Sequence, residues 1–193
     1  MLDLTAVFAA FPILETERCV LRAVMLEDAP AIFHIMSDPR VTRYIGQQPM
    51  DAPDKALERV CKFQSLFNER TAIPWAVASR EDRQLIGTCV FWNIDRPNFR
   101  AEIGYILSPK WWGKGLMTEA AAAALKFGFT TMGLNSIEAQ TDPENAASRR
   151  VLEKLGFIQE GHFREYYYDP IEDRFTDKLV FSLLASNWTN EGS

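Results

Sequence analysis

The sequence predicts one α+β domain built on a mixed sheet. Three observations carry this. Strand-like and helix-like runs follow in the order β-α-α-β-β-β-α-β-α-β-β, which is neither a strict βαβ alternation nor a strand-only chain. The 193 residues fit one domain, and no linker, repeat or low-complexity run divides them. Hydrophobic residues make up 47% and charged residues 24%, a balance that lets the chain bury a core instead of remaining disordered.

The elements follow in order. Residues 1–14 are apolar but carry Asp3 where a secretory signal would open with positive charge, so they read as an arm that packs on the domain. Residues 15–25 form a first strand centred on Val20 and Leu21. Asp28 is placed as the N-cap of a helix whose apolar stripe is Ala31, Ile32, Ile35 and Met36, and Asp38-Pro39 ends it. Residues 40–53 are a polar connection holding Arg43, Tyr44 and Gly46. A second helix over 54–69 spaces Leu57, Val60, Cys61, Gln64, Leu66 and Phe67 for one buried face. Trp75–Ala78 and residues 85–93 are strands joined by a turn at 81–84, and residues 100–107 form a fourth strand after the turn at 96–99. Residues 108–115 are a tight loop. Residues 116–131 form an alanine-rich helix, 136–141 a strand, and 144–155 a helix stopped by Gly156 at its C′ position. Residues 157–168 and 177–185 close the domain as an antiparallel pair.

Charge and cysteine usage narrow the function classes. Lys and Arg total 21 against 26 Asp and Glu, a net charge of −5, whereas a protein living on phosphate contacts to nucleic acid carries a basic excess. An acidic balance favours a cationic partner. Cys19, Cys61 and Cys89 form no disulfide framework and no Cys-x-x-Cys pair, which fits a reduced, cytoplasmic compartment. With only His34 and His162 present, far apart, a histidine-based zinc site is not expected. No run of about 20 apolar residues is present to span a bilayer.

The strand-loop-helix at 101–130 carries the sharpest chemical signal. Gly113 and Gly115 permit a backbone curl with inward amides, and the following helix adds free N–H groups and its positive dipole end. That combination suits a phosphate or pyrophosphate. It is not a nucleotide P-loop, lacking Gly-Lys-Ser/Thr, nor a dinucleotide fingerprint, lacking the third glycine. Taken alone, the two glycines also fit an ordinary turn into a helix. Strand alternation places Glu102, Gly104 and Ile106 on one face and Ile103, Tyr105 and Leu107 on the other. A mid-strand carboxylate at 102 is either solvated and paired, with Arg100 for instance, or used.

Three ordered segments resemble the Gcn-five-related N-acetyltransferase (GNAT) superfamily: Ala-Glu-Ile-Gly-Tyr (101–105), Pro-Lys-Trp-Trp-Gly-Lys-Gly-Leu-Met-Thr-Glu-Ala (109–120) and Asn-Ala-Ala-Ser-Arg-Arg-Val-Leu-Glu-Lys-Leu-Gly-Phe (145–157). Glu-Thr-Glu-Arg-Cys-Val-Leu-Arg (15–22) is similar to the opening strand of the RimJ/RimL-like branch, which includes acetylators of ribosomal-protein N-termini. The resemblance implies a GNAT domain over 15–188, after the arm at 1–14 and before a tail at 189–193. It implies a mixed, mostly antiparallel sheet with helices on its faces. Central strands 101–107 and 136–141 splay apart to admit acetyl-CoA. The family pyrophosphate loop, Gln/Arg-x-x-Gly-x-Gly/Ala, is matched by Lys110-x-x-Gly113-x-Gly115. The resemblance thus implies cofactor contacts from Ile106, Leu107, Lys110, Trp112, Gly113, Lys114, Gly115, Leu116, Met117 and Thr118, and from Asn145 and Ser148 of the Asn-x-x-Ser element.

For chemistry, the resemblance implies Glu102 as general base. Many members use a tyrosine as acid in the helix after the fifth strand; Leu152 stands there, so the role shifts to Ser148 or to water. Asp142 or Asn145 could equally serve that helix as caps. The acceptor side is implied to lie between 40–53 and the last hairpin, where Arg43, Tyr44, Tyr166 and Tyr167 are candidates. Glu165, Asp169, Glu172 and Asp173 there could receive a cation or simply be solvated. The expected function is acetyl transfer from acetyl-CoA to a protein or peptide N-terminal amine, by a monomer or homodimer with no metal, nucleic acid or membrane involved. The alternatives are a small-amine acetyltransferase (polyamine, amino acid or aminoglycoside-like) and a non-catalytic CoA-binding sensor.

Overall fold

The structure, a computed structural model, describes residues 1–169 and 173–188. The strands are β1 (Leu14–Glu15), β2 (Cys19–Ala23), β3 (Ile73–Ser79), β4 (Leu85–Asp95), β5 (Arg100–Leu107), β6 (Ser136–Thr141), β7 (Ile158–Asp169) and β8 (Arg174–Leu184). The helices are α1 (Ala29–Met36), α2 (Pro39–Thr42), α3 (Pro53–Asn68), α4 (Leu116–Thr130) and α5 (Ala146–Lys154). The strands form one sheet in the order β1-β2-β3-β4-β5-β6-β8-β7. Every neighbouring pair is antiparallel except β5–β6, which is parallel. This is the α+β domain on a mixed sheet that the element order predicts, with the mostly antiparallel pairing that the family resemblance implies.

β3 lies in the sheet interior and is buried along its whole length. That is the pattern of a strand covered on both faces. On one face, Trp75, Phe91, Ile103, Leu125, Ile137 and Leu183 form a core under α4. On the other, Ile32, Met36, Val60, Ala76 and Val90 pack beneath α1 and α3. Trp75 is fully buried, packs edge-on against Phe91 and Phe127, and donates from Nε1 to the Pro12 carbonyl at 2.8 Å. The chain before β1 therefore covers the sheet, burying Leu2, Leu4, Val7 and Phe8. Cys19 and Cys89 are buried unpaired thiols, pushed up by burial to about 11 and about 12, while Cys61 is exposed.

Four local expectations are revised. Asp28 does not cap α1 through its side chain; it is buried and takes a two-pronged ion pair from Arg22 at 2.7 and 2.8 Å and the Met25 N–H at 2.8 Å. Pairing a buried carboxylate outweighs what a cap would return. The connection at 40–53 is not wholly irregular, because Asp38 caps a one-turn helix, α2, that opens on Pro39. The buried face of α3 runs Ala56, Val60, Phe63, leaving Leu57 and Cys61 outside. β8 begins at Arg174, earlier than the apolar alternation indicates, because Phe175 and Arg174 pair with Tyr168 and Asp169 in a ribbon that is exposed except at Asp169.

One feature of the sheet positions the site. β5 and β6 pair only at Arg100–Ser136, Ala101–Ile137 and Glu102–Glu138. Beyond Glu102, β5 keeps β4 as its neighbour, and beyond Glu138, β6 keeps β8. The sheet splits there, and the facing backbone edges from Ile103 and from Ala139 are left without strand partners.

Candidate active site

The split opens into a cleft of about 700 Å³. Tyr105, Ile106 and Leu107 wall it on the β5 side, and Asn145, Ser148 and Val151 of the α5 segment wall it opposite. Gly113, Gly115 and the first turn of α4 lie at one end, and Arg43, Tyr44 and Ile45 at another. Unpaired backbone groups at a sheet edge demand partners. A slot between two such edges suits an extended ligand with amides of its own.

The loop before α4 is shaped by its glycines. Gly113 and Gly115 have φ of 73° and 75°, left-handed values that disfavour a side chain. Gly115 is the N-cap of α4 and, lacking a side chain, leaves the helix amides uncapped. Leu116, Met117 and Thr118 face the cleft there. Uncapped amides at the positive end of a 15-residue helix form an anion site. Trp112 also lines the cleft and donates from Nε1 to the Leu107 carbonyl at 2.7 Å, tying the loop to the end of β5.

Two expected lysines do not line the cleft. Lys110 sits on the exposed short turn at 109–111, and Lys114 lays Nζ over the Trp111 ring at 4.7 Å. The cations that do line it are Arg40, Arg43, Arg150 and Lys154. Arg40 is held by Asp38 at 2.6 Å. Arg150 and Lys154 lie one turn apart on α5, a spacing that is visible in the sequence.

The segment entering α5 is a chain of short-range caps. Asp142 accepts from the Glu144 N–H at 2.7 Å, and Asn145 Oδ1 accepts from the Ser148 N–H at 3.0 Å. Asn145 therefore is the helix cap, and its Nδ2 has no protein partner among the described residues. Ser148 Oγ lies 3.3 Å from the hydroxyl of Tyr105, which also donates to the Ser148 carbonyl at 3.3 Å. Tyr105 is a site residue that sequence reasoning passed over. Strand alternation had already placed it on the face opposite Glu102, and only the fold brings α5 there. Burial pushes its phenol well above the ordinary tyrosine range, so it remains a donor. Leu152 is 1% exposed and fills the core, which accounts for an apolar residue at that position.

Glu102 sits at the apex of the split, not among the residues lining the cleft. It faces the α1/α3 side with Gly104, where the Trp92 ring lies so close that any side chain at 104 would collide with it. Arg100 does not pair with Glu102; it binds Asp95 and Glu138, each at 3.1 Å. Glu102 instead accepts from Asn93 Nδ2 at 3.0 Å. Asn93 has φ of 47° at a register shift in β4, which breaks strand alternation and turns its amide toward Glu102.

On the acceptor side, Arg43 and Tyr44 line the cleft, with the Arg43 guanidinium 5.1 Å above the Tyr44 ring. Glu144 is the one carboxylate among the described lining residues, and it meets Arg43 at 3.4 Å and Arg174 at 3.5 Å. Tyr166 and Tyr167 do not line the cleft. Tyr166 stacks on Phe163 at 5.4 Å on the exposed side of β7. Tyr167 donates to Asp142 at 3.2 Å and packs against Gly46, bracing the 43–46 loop. Of the hairpin acids, Asp169 is buried and Asp173 accepts from Tyr168. Glu172 lies outside the described residues. No group of three or more His, Cys, Asp or Glu among the described residues could hold a metal ion, and no helix among them is long and apolar enough to cross a membrane.

Known proteins are similar to this chain over most of its length. The acetyltransferase (GNAT) domain family matches residues 18–158. An uncharacterized N-acetyltransferase, p20, of Bacillus licheniformis is 40% identical over 175 residues, covering 91% of this chain and 97% of the relative. The [ribosomal protein uS5]-alanine N-acetyltransferase of Escherichia coli is 28% identical over 181 residues, 91% of this chain and 92% of the relative. Spermidine N(1)-acetyltransferase of the same organism is 28% identical over 148 residues, 77% of each. The structure of Mycobacterium smegmatis RimJ in complex with CoA-disulfide superposes with a TM-score of 0.78 at 26% identity, over 87% of this chain and 82% of that one.

Proposed function

The chain belongs to the GNAT acetyltransferase family, and from that premise we propose that it moves an acetyl group from acetyl-CoA to the α-amine of a protein or peptide, of ribosomal-protein type. The observation that carries the donor half is the junction of two features. The β5–β6 split ends at the uncapped N-terminus of α4, so an extended amide chain and an anionic head group are accommodated in one continuous cleft.

The amides from Gly113 to Thr118 receive the pyrophosphate, and Arg150 and Lys154 receive further phosphate charge at the mouth. Trp112 closes over the end of β5. Ile106 and Leu107 border the thiol-bearing arm, and Lys110 and Lys114 add only long-range positive potential. Asn145 offers Nδ2 to that arm while Oδ1 holds α5. When bound, acetyl-CoA supplies the activated thioester.

The α-amine must reach the site neutral. Its free pKa is about 7.7–8.0, so at neutral pH most of it is protonated and a base is required. Glu102 takes this proton, directly or through water, from its place at the apex with one oxygen held by Asn93. Ser148 Oγ hydrogen-bonds the sulfur as negative charge develops on it, and Tyr105 orients that hydroxyl. Catalysis by the serine is electrostatic more than acidic, because an alcohol is a poor proton donor.

The acceptor enters past Arg43 and Tyr44, with Tyr167 bracing their loop and Tyr166 on the outer rim of the hairpin. A polyamine needs several carboxylates at charge spacing. The described cleft offers only Glu144, which already faces two arginines. The uS5-alanine acetyltransferase also covers more of the chain than the spermidine enzyme does. Residues 15–188 act as the catalytic domain, with 1–14 as an arm, and the expected tail at 189–193 lies outside the described residues. The protein works in the cytoplasm as a monomer or homodimer, without metal, nucleic acid or membrane.

A thiol-release assay with acetyl-CoA tests the acceptor. Peptides beginning with alanine should support turnover, and the same peptides with a blocked N-terminus should not. Faster turnover with spermidine or a free amino acid would overturn the α-amine assignment. Acetyl-CoA binding without turnover on any amine would favour a sensor.

A further inference from the structure

Arg18 lies in the turn that leads into β2, far in sequence from the glycine loop, yet it touches that loop and the helix behind it. Its N–H donates to Glu119 Oε1 at 2.7 Å, its Nε donates to Glu119 Oε2 at 2.6 Å, and its Nη1 donates to the Lys114 carbonyl at 3.0 Å. A side chain at Gly115 would stand 3.7 Å from Nη2, so the guanidinium lies against the N-cap of α4. One residue thus holds both the residue between the two glycines and the first turn of the helix.

Glu119 makes this contact matter. A carboxylate in the first turn stabilises a helix that is alone, but it opposes a second anion arriving at the same end. Glu119 is the one acid in that turn of α4. Burial pushes its carboxyl up, but hydrogen bonds from Thr16 and Arg18, together with the Arg18 charge, outweigh this and hold it below its ordinary value. It is therefore ionised at neutral pH. Uncompensated, it would weaken any phosphate at Gly113–Thr118.

We propose that Arg18 is a positioning residue for donor binding: it fixes the Lys114 carbonyl outward so that the Gly113–Gly115 amides face the cleft, and it cancels the Glu119 charge beside them. The proposal rests on reading 113–118 as the phosphate cradle.

The test is calorimetric titration of CoA into the purified full chain, with initial rates run in parallel. Arg18→Ala should weaken CoA binding on the order of tenfold. Its kcat at saturating donor should stay within about twofold, because no reacting atom is touched. Arg18→Lys should regain part of the loss through charge without the fork. Arg18→Ala with Glu119→Gln should bind better than Arg18→Ala alone. Unchanged CoA affinity in both Arg18→Ala and Arg18→Lys would overturn the proposal, as would a loss of kcat at saturation equal to the loss of affinity. If Arg18→Ala fails to fold, the Arg18→Lys titration decides by the same criterion. Gly115→Glu separates the two readings. If it still binds CoA, the cradle itself is misplaced. If it does not bind while the Arg18 variants match the wild type, only the role of Arg18 falls.

Discussion

The two sides of the cleft are built from different materials. The donor side is backbone: two left-handed glycines, an uncapped helix end and two strand edges without partners. The acceptor side is made of side chains that find one another across the fold, as Arg43 finds Glu144, 101 residues away, and Tyr167 finds Asp142, 25 residues away. A backbone device tolerates little change, because its geometry depends on residues with special torsions. A side-chain device can be retuned pair by pair. The expectation is that donor-side changes abolish function and acceptor-side changes adjust it.

The largest effect should come from Gly115→Glu. Acetyl-CoA at about a hundred times its Kd should stabilise the wild type by about 2.7 kcal/mol, a rise in Tm of roughly 5–10 °C for a chain of this size. In the variant that rise should vanish in a thermal-shift measurement, because bulk and charge enter the cradle. Equal protection of both proteins would break the comparison at its donor end.

Next in size is Glu102→Gln. Near neutral pH it should lower kcat/KM by about a hundredfold, and the deficit should shrink as pH rises and the amine deprotonates unaided. A deficit constant across pH would reduce Glu102 to a placing role. Ser148→Ala and Tyr105→Phe should each lower kcat by about tenfold while sparing the KM for acetyl-CoA, and the double variant should lose less than the product of the two. Because burial raises the Tyr105 phenol, it keeps its proton through alkaline pH. The pH–rate profiles of wild type and Tyr105→Phe should therefore run parallel up to about pH 10. A limb that disappears with the phenol would make it a titrating acid.

The smallest effect belongs to the acceptor side. Arg43→Ala or Glu144→Ala should raise the KM for peptide by about two- to fivefold, the range of an exposed ion pair. An effect on acetyl-CoA affinity instead would move these residues to the donor side and erase the distinction.

The same distinction decides how much was legible in the sequence. Gly113 and Gly115 announce themselves because glycine adopts left-handed torsions at no steric cost, and the run 116–130 announces a helix by composition alone. The register of β5 is equally plain, and its alternation separates Glu102 from Tyr105 correctly. What hides is partnership. Asp28 looks like a cap until Arg22 is seen against it, and Lys110 looks like a phosphate ligand until its short turn faces it outward. The face of Tyr105 is legible but its neighbour is not, because Ser148 arrives 43 residues later, on a helix that follows α4 and β6. Asn93 reaches Glu102 only through a positive φ that nothing in an asparagine compels. Backbone preferences are written locally, whereas side-chain pairs are written by the fold.

The central claim is transfer of acetyl from CoA to an α-amine within this cleft. Its most direct test is fragment-ion mass spectrometry of a peptide bearing both a free N-terminal alanine and an internal lysine, after incubation with the enzyme and acetyl-CoA. The account predicts acetylation confined to the N-terminal residue, lost with Gly115→Glu and strongly slowed with Glu102→Gln. Acetyl on the lysine side chain, or an unmodified peptide under conditions where spermidine is acetylated, would contradict it.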